Sequence, residues 1–537
     1  MVTDDILLLG LDLGISTIKV ALFTAAGDIV RMESDEYMIV PEGDKAETDP
    51  ELYWSLVVRS TRRLLRDWGG RAEQIAAVSV SSHTETVVPL EESGRPARPA
   101  LLWMDKRSQP EADELNREFG LQRVLKISGQ PEIAPIWPVT KFRWLSKHEP
   151  DSVKRTAKYL LPEDYLLYRL SGRFVAEPSM WSSSLVLDIS QRKWSPEMME
   201  FGGVRAEQLP ELLPSGTAVG CVTPACAAET GLSTKTQVVT GGLDQTCAAI
   251  GAGNIAPGII TESTGSVLAL VATVPKPIFD SETRVPCHIH AVRDAYCMLP
   301  WNQTGGLALK WFKDRFAGDL TATAKATSRD VYALLAAEAE TVPAGSEGLL
   351  MLPHLDGAFF PEFNPCARAV FFGFTLNHGR AHFTRAIMEA VAFMIRRDLE
   401  GLSRLGVVAN ELRVLGGGAK SACWSQIKAD TCNIPVVVPA QGEAAALGSV
   451  ILAAVGIGLY PDIPSAVRVM VSAGSPVEPR GANRTTYDAA YRLYVELYDS
   501  VKHLYPQSAK LAGLARCPTG FGEKQISSRD PASASNS

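Results

Sequence analysis

LLLGLDLGISTIKV, residues 7–20, carries two short apolar runs joined by a small polar link. Leu7–Leu9 is followed by Gly10, Asp12, Gly14, Ser16, Thr17 and Lys19. The second run, Val20–Phe23, ends at the turn signal Ala26-Gly27-Asp28. This pattern predicts a β-hairpin. Its tip offers backbone N–H groups and two hydroxyls, and Gly14 permits close approach of a ligand to the main chain. Successive N–H groups form an anion-binding concavity. Asp12, where the first strand ends, suits a divalent cation lying between carboxylate and phosphate. A surface hairpin with a solvated Asp would use the same residues.

Outward from the hairpin, strands alternate with helices. Arg31–Val40 reads as a third strand, and a helix is expected from Pro50 with Asp49 as its cap. Ile75–Ser81, Val87–Leu90 and Leu101–Trp103 read as strands. His83-Thr84-Glu85 leave the first of these, and Met104-Asp105 leave the third. Residues 110–235 read as mostly helical with Pro-rich loops, and KFRWL (141–145) as an amphipathic helix. Gln237–Thr240 is a strand running into Gly241-Gly242-Leu243-Asp244-Gln245. From Pro257 the opening design repeats, with strand Gly258–Ser263, turn Thr264-Gly265-Ser266 and strand Val267–Val274. Gly305-Gly306, a helix Leu307–Phe316, a periodic helix Phe383–Leu405 and a strand Glu411–Leu415 ending in Gly416-Gly417-Gly418-Ala419 follow. Helices Ser421–Thr431, Ala444–Tyr460 and Tyr487–Leu504 complete an α/β chain in two halves. Two hydroxyl-bearing tips and a late glycine turn suit a nucleotide held between them. The tail from 509 to 537 is expected to be disordered.

Composition is that of a globular protein. The chain has 537 residues, 46% hydrophobic and 21% charged, with net charge −7 and no Lys/Arg-rich run, which disfavours nucleic acid or an anionic membrane as partner. Nine scattered cysteines form no CxxC; Cys221 and Cys226 read as free thiols, consistent with a reducing cytosol. The N-terminus lacks a basic signal-peptide region. Ala444–Tyr460 carries no charge, but at 17 residues it is short for a membrane span and reads as a buried helix. His288 and His290 have no third ligand near them in sequence and read as structural. A homodimer is one expectation that these residues leave open.

The chain resembles the FGGY carbohydrate kinases from Leu7 to about residue 505. The resemblance rests on GLDLGISTIKVALF (10–23), AETDPELYW (46–54), LLWMDKRS (101–108), GGLDQTCAAIGAG (241–253), GFTLNHGRAHFTRAIMEA (373–390), LGGGAKSACWSQIKADTCNIPV (415–436) and EAAALGSVILA (443–453), all in order. It implies an α/β fold of two actin-like (ribonuclease H-like) domains, 1–256 and 257–508, with a nucleotide cleft between them. It further implies a cytoplasmic, ATP- and Mg²⁺-dependent enzyme that phosphorylates a small sugar or polyol.

By that resemblance Asp244 is the general base, a place where an Asp could also serve as a helix N-cap. Asp12 holds Mg²⁺. Gly14, Ser16, Thr17, Thr264 and Gly265 face the phosphates; Gly306, Gly417, Gly418 and Ala419 lie under the nucleotide, unless these glycines serve only tight packing. Lys19 would add charge at the phosphates or stay solvated. His83, Thr84, Glu85, Trp103, Asp105, Asp244 and Gln245 would form the acceptor pocket, with His83 alternatively a hydrogen-bonded core histidine. His83-Thr84-Glu85 matches neither the Gln-Met-His usual in xylulokinases nor the Arg-Glu-Thr of glycerol kinases in full, so xylulose, ribulose, glycerol and erythritol all stay open as acceptors. A nucleotide-dependent regulatory protein on the same fold is the alternative.

Overall fold

Leu7–Leu13 (β1) and Thr17–Thr24 (β2) pair antiparallel, with Asp12 opposite Lys19. The computed structural model describes residues 6–511. β1 also pairs in parallel with Ile75–Ser82 (β4), and β2 with Ile29–Glu36 (β3). Ala218–Cys221 (β5) and Gln237–Leu243 (β6) complete a sheet in the order β5-β6-β4-β1-β2-β3. A second sheet repeats the plan. Gly258–Thr264 (β7) forms a hairpin with Leu268–Val274 (β8) and pairs in parallel with Ala409–Leu415 (β11), as β1 does with β2 and β4. Cys287–Ile289 (β9), Tyr296–Met298 (β10) and Val436–Val437 (β12) extend it to the order β9-β10-β8-β7-β11-β12. The repeat of hairpin plus parallel strand, visible in sequence as two small polar tips, is thus a repeat of topology.

Alternation along β1 explains how it is covered on both faces. Leu7, Leu9, Leu11 and Leu13 share a cluster with Tyr53, Trp54, Leu56, Val57 and Leu64 of Glu51–Trp68 (α1) and with Tyr165–Leu167 of Pro162–Ser171 (α3). Each such side chain, taken out of water, contributes about 2 kcal/mol. α1 begins one residue after Pro50, where Asp49 Oδ1 accepts from Glu51 N at 3.0 Å, and stops at Gly69, whose φ of 73° ends the helix. The expected strand at Leu101–Trp103 is shorter, Ala100–Leu101. Further helices are Pro138–His148 (α2), Asp244–Gly251 (α4), Val331–Glu340 (α5), the 25-residue Arg380–Arg404 (α6) and Ala422–Cys432 (α7). Cys221 and Cys226 are free. Tyr505–Leu511 is helical, carrying order past the start of the expected tail, which from 512 lies outside the described residues.

The other face of β1 holds Leu8, Gly10 and Asp12. Over it lies Ala444–Gly456 (α8), which follows the second sheet in sequence but packs on the first, against Leu8, Ala21, Phe23, Ala77 and Val239. No helix among the described residues is long and apolar enough to cross a membrane, and α8 is a core helix. α8 crosses α4 at two glycines. A β-carbon at Gly448 would lie 1.9 Å from Cys247 O, and one at Gly251 the same distance from Ala444 O. Backbone cannot retreat as a side chain can, so Gly448→Ala is expected to destabilise the protein by about 3 kcal/mol. Equilibrium denaturation checks this; an unchanged midpoint would show that the two helices can spread.

Candidate active site

Parallel pairing sets the edge on which the site is built. Leu13 of β1 and Leu243 of β6 both lie opposite Ser82 of β4. Asp12, His83–Glu85 and Asp244 therefore leave the same carboxyl edge, where open α/β sheets bind ligands. Asp244 opens α4, half-buried, with its Oδ1 accepting from Gln245 N at 2.6 Å. The ladder slips between Val239 and Gly242, and buried side chains take up the freed N–H groups. Gly241 N donates to Glu163 Oε1 at 2.8 Å, and Leu243 N to Ser179 Oγ at 3.0 Å. Ser179 Oγ in turn donates to Glu177 Oε1 at 2.6 Å. Asp12 accepts from Ser81 Oγ at 3.2 Å, and its cross-strand partner Lys19 reaches Glu443 Oε2 at 2.6 Å, just ahead of α8.

Around this edge the expected acceptor residues divide. Glu85 sits at φ 62°, a left-handed conformation that a non-glycine residue holds only under constraint, and its Oε1 accepts from Ser183 Oγ. Its carbonyl accepts from Lys141 Nζ at 2.9 Å, and Lys141 also donates to Ile136 O at 2.6 Å. Nothing local marks Lys141. It lies on the buried face of α2, and only a lysine in an apolar stripe hints at the role. Trp103 has its indole Nε1 buried without a partner, and with Tyr37, Tyr53, His83 and Ser16 it lines a cavity of about 120 Å³. Gln245 follows Asp244, half-buried. His83 Nδ1 lies 3.1 Å from Leu13 O and Nε2 3.3 Å from Thr86 Oγ1, so the ring donates through Nδ1–H and accepts at Nε2. Burial pushes its pKa down to about 4, so the ring is neutral. Two expected ligands turn inward. The Thr84 hydroxyl donates to Met180 O at 2.5 Å, and Asp105, fully buried, accepts from Arg107 and Ala46 N. Both are spent on holding loops together.

On the second sheet, Thr264, Gly265, Gly306, Gly417 and Gly418 line a cavity of about 600 Å³. A β-carbon at Gly306 would lie 2.6 Å from Gly265 O, and one at Gly418 2.8 Å from Thr264 Cβ, so the three segments meet at backbone distance. Ala419 does not line this space; it packs on the core. The opposite wall, Tyr332, Ala333, Ala336 and Ala337 of α5, was not expected; its only trace in sequence is a run of small residues at helical spacing. Thr264 shapes the wall, but its hydroxyl is turned to Glu262 and Lys428 rather than to the cavity. At the first hairpin Gly14 N donates to Thr17 O at 2.9 Å, Tyr37 Oη donates to Gly14 O at 2.5 Å, and Ile15 and Ser16 are exposed at the tip. His288 and His290 are buried, with His290 Nδ1 accepting from Val292 N at 2.9 Å.

The family model for the FGGY family of carbohydrate kinases, N-terminal domain, matches residues 7–251, and that for the C-terminal domain matches 264–457. The chain belongs to the FGGY family of carbohydrate kinases. It is 29% identical over 497 residues to the xylulose kinase of Bacillus subtilis (strain 168), covering 92% of this chain and 97% of that one. It is 28% identical over 506 residues to the gluconokinase of the same strain, covering 94% and 97%. A ligand-bound xylulose kinase from Lactobacillus acidophilus shares its fold, with TM-score 0.84, 22% identity, and coverage of 94% of this chain and 99% of that one. The protein is thus an ATP-dependent phosphotransferase with an alcohol group as acceptor.

Electrostatics at the edge of this kinase is dominated by burial. Burial, the neighbouring Asp12 and Glu85 together outweigh the Gln245 N–H and push the Asp244 pKa up to about 7. Burial likewise raises Asp12 to about 6, opposed by Lys19 and Ser81. Glu85 is raised by burial against Ser183 and Lys141, and Lys141 is lowered by burial against Glu85 and Asp105. Behind Asp244, Glu163 is held well above the usual carboxylate range by burial and by Glu177 and Asp164. A base with a raised pKa works above that value and is lost below it. If Asp244 is the general base that the family resemblance implies, kcat/KM for the acceptor in the wild type falls about tenfold per unit as pH drops below about 7. A flat profile from pH 5.5 to 8 would show that Asp244 is not the titrating group. Glu163→Gln mimics the protonated acid and is expected to keep kcat within about twofold, while Glu163→Ala, which abandons Gly241 N, lowers kcat at least about tenfold. Steady-state kinetics of the pair checks this.

Proposed function

We propose that the enzyme transfers the γ-phosphoryl group of ATP to a hydroxyl of a small, uncharged sugar or polyol, with Asp244 as general base. The observation that carries this reading is the meeting of Asp12, Glu85 and Asp244 on one strand edge. Asp244 takes the proton of the acceptor hydroxyl as its oxygen bonds to phosphorus and the bond to the ADP oxygen breaks. Glu85 and the indole of Trp103 bind the acceptor's other hydroxyls and its C–H face. Residues 257–508 supply the nucleotide cavity, with Lys310 and Lys420 at its wall, and residues 1–256 supply the acceptor.

The donor set at Asp12 fits magnesium. The Asp12 carboxylate is half-buried and takes a hydrogen bond from Ser81, while Lys19, its cross-strand partner, is paired with Glu443. Among the described residues no group of three His, Cys, Asp or Glu side chains forms a metal cage, which suits an ion held by one carboxylate, water and phosphate oxygens. When bound, that ion would neutralise phosphate charge. Asp12 would hold it, and Ser81 would orient Asp12 through its 3.2 Å hydrogen bond.

The same charges favour a neutral acceptor such as xylulose, ribulose, glycerol or erythritol over an aldonate. A substrate carboxylate about 4 Å from one ionised side chain meets a repulsion of roughly 4 kcal/mol at an effective dielectric near 20. Lys141, buried with two of its donors on carbonyls, offers little relief. ADP release is to be measured at fixed Mg·ATP with those four acceptors and with gluconate. At least one neutral acceptor is expected to stimulate release and gluconate not; a preference for gluconate would overturn the assignment. Asp244→Asn is expected to lower kcat about 10²–10⁴-fold while ADP affinity stays within about twofold. Turnover surviving within about tenfold would remove Asp244 from the base role.

A further inference from the structure

Two walls of the nucleotide cavity are joined by a charge pair without solvent contact. Lys428 on α7 and Glu262 on β7 have fully buried side chains, and Lys428 Nζ donates to Glu262 Oε2 at 2.5 Å. Lys428 also donates to Thr264 Oγ1 at 2.9 Å, and the Thr264 hydroxyl donates to Glu262 Oε1, closing a triangle. Lys428 Nζ lies 5.4 Å over the Trp424 ring. α7 starts directly after the glycine turn, where Ser421 Oγ caps it by accepting from Trp424 N at 3.2 Å. Thr264 ends β7 at the hairpin tip. Glycine turn, helix and hairpin tip all face the 600 Å³ cavity. A buried ion pair is a poor source of net stability compared with apolar side chains of the same size, whereas losing one partner is costly. It does fix geometry, because both charges must be met in one arrangement. The triangle also uses the Thr264 hydroxyl hydrogen internally. Ser266, two residues on, is exposed and lines the cavity.

We propose that Lys428 is a positioning residue for phosphoryl transfer. Through Glu262 and Thr264 it sets the hairpin tip against the glycine turn. The proposal rests on the nucleotide occupying the larger cavity.

The experiment combines thermal melting, equilibrium titration with ADP, and steady-state kinetics on the full chain. Lys428→Met alone strands Glu262 and is expected to lower the melting temperature. The informative variant is Lys428→Met with Glu262→Gln, a neutral pair of similar volume. It is expected to melt near the wild type yet show kcat/KM for ATP reduced at least about tenfold, with KM for the acceptor within about twofold. Wild-type values in the double variant would overturn the positioning role, leaving a purely structural pair. Should the double variant not fold, Thr264→Val and Thr264→Ser decide. Thr264→Val, which removes the hydroxyl through which Lys428 holds the tip, is expected to lower kcat/KM for ATP at least about tenfold with KM for the acceptor within about twofold, and Thr264→Ser, which keeps that hydroxyl, to restore it to within about threefold. Wild-type values in Thr264→Val would overturn the proposal. Absence of ADP binding by the wild type would overturn the nucleotide reading and this proposal with it, whereas wild-type binding with unaltered variants overturns the role of Lys428 alone.

Discussion

Loss of solvent around Asp12, Glu85 and Asp244 is the constraint around which the first half is arranged. Three parallel strands bring these carboxylates to one edge, where Lys19 lies near Asp12 and Lys141 near Glu85. In water each would stay ionised near neutrality; shielded from solvent here, each resists ionisation, and Asp12 and Glu85 add to the rise at Asp244. The surrounding structure bears that tension. Glu85 is held at an unfavourable φ by Lys141 and Ser183, and the strand before Asp244 gives up its ladder bonds to a second set of buried acids. What relieves the edge is a cation beside phosphate and a proton-bearing hydroxyl, which are the two things a kinase of uncharged acceptors brings to it.

The two sheets share a topology but use their hairpin tips differently. The first tip is open, with Ile15 and Ser16 in solvent and Tyr37 bracing Gly14 from behind. The second is tied back by Lys428, with only Gly265, Ser266 and Val267 exposed. One repeat therefore presents an exposed loop, and the other a tip tied to the core beside glycines packed at backbone distance.

Much of this was legible in sequence wherever the signal is local. Asp12 and Asp244 stand beside glycines at strand ends. Gly306, Gly417 and Gly418 occupy positions that a β-carbon would crowd or that face the cavity, and an uncharged 17-residue run marked α8. What escaped depends on contacts distant in the chain. Lys141 meets Glu85 across 56 positions, and Lys428 meets Thr264 across 164. The partners of Thr84, Asp105 and Thr264 were hidden for the same reason. A hydroxyl or carboxylate in a motif reads as a ligand until its partner is visible, and here the partners are Met180 O, Arg107 and Glu262. The α5 wall carries no polar motif at all.

α8 gives the chain a property that its two-sheet plan does not suggest. This helix belongs in sequence to the second half, yet it covers Leu8, Ala21, Ala77 and Val239 of the first sheet, and Lys19 grips Glu443 at its start. A fragment ending at residue 256 would leave that face bare, and a fragment starting at 257 would carry an apolar helix with nothing to pack on. The halves resemble separate modules but cannot be exchanged or expressed as such. The heritable unit of folding is the whole chain, and recombination between relatives would have to carry α8 together with the first sheet that it covers.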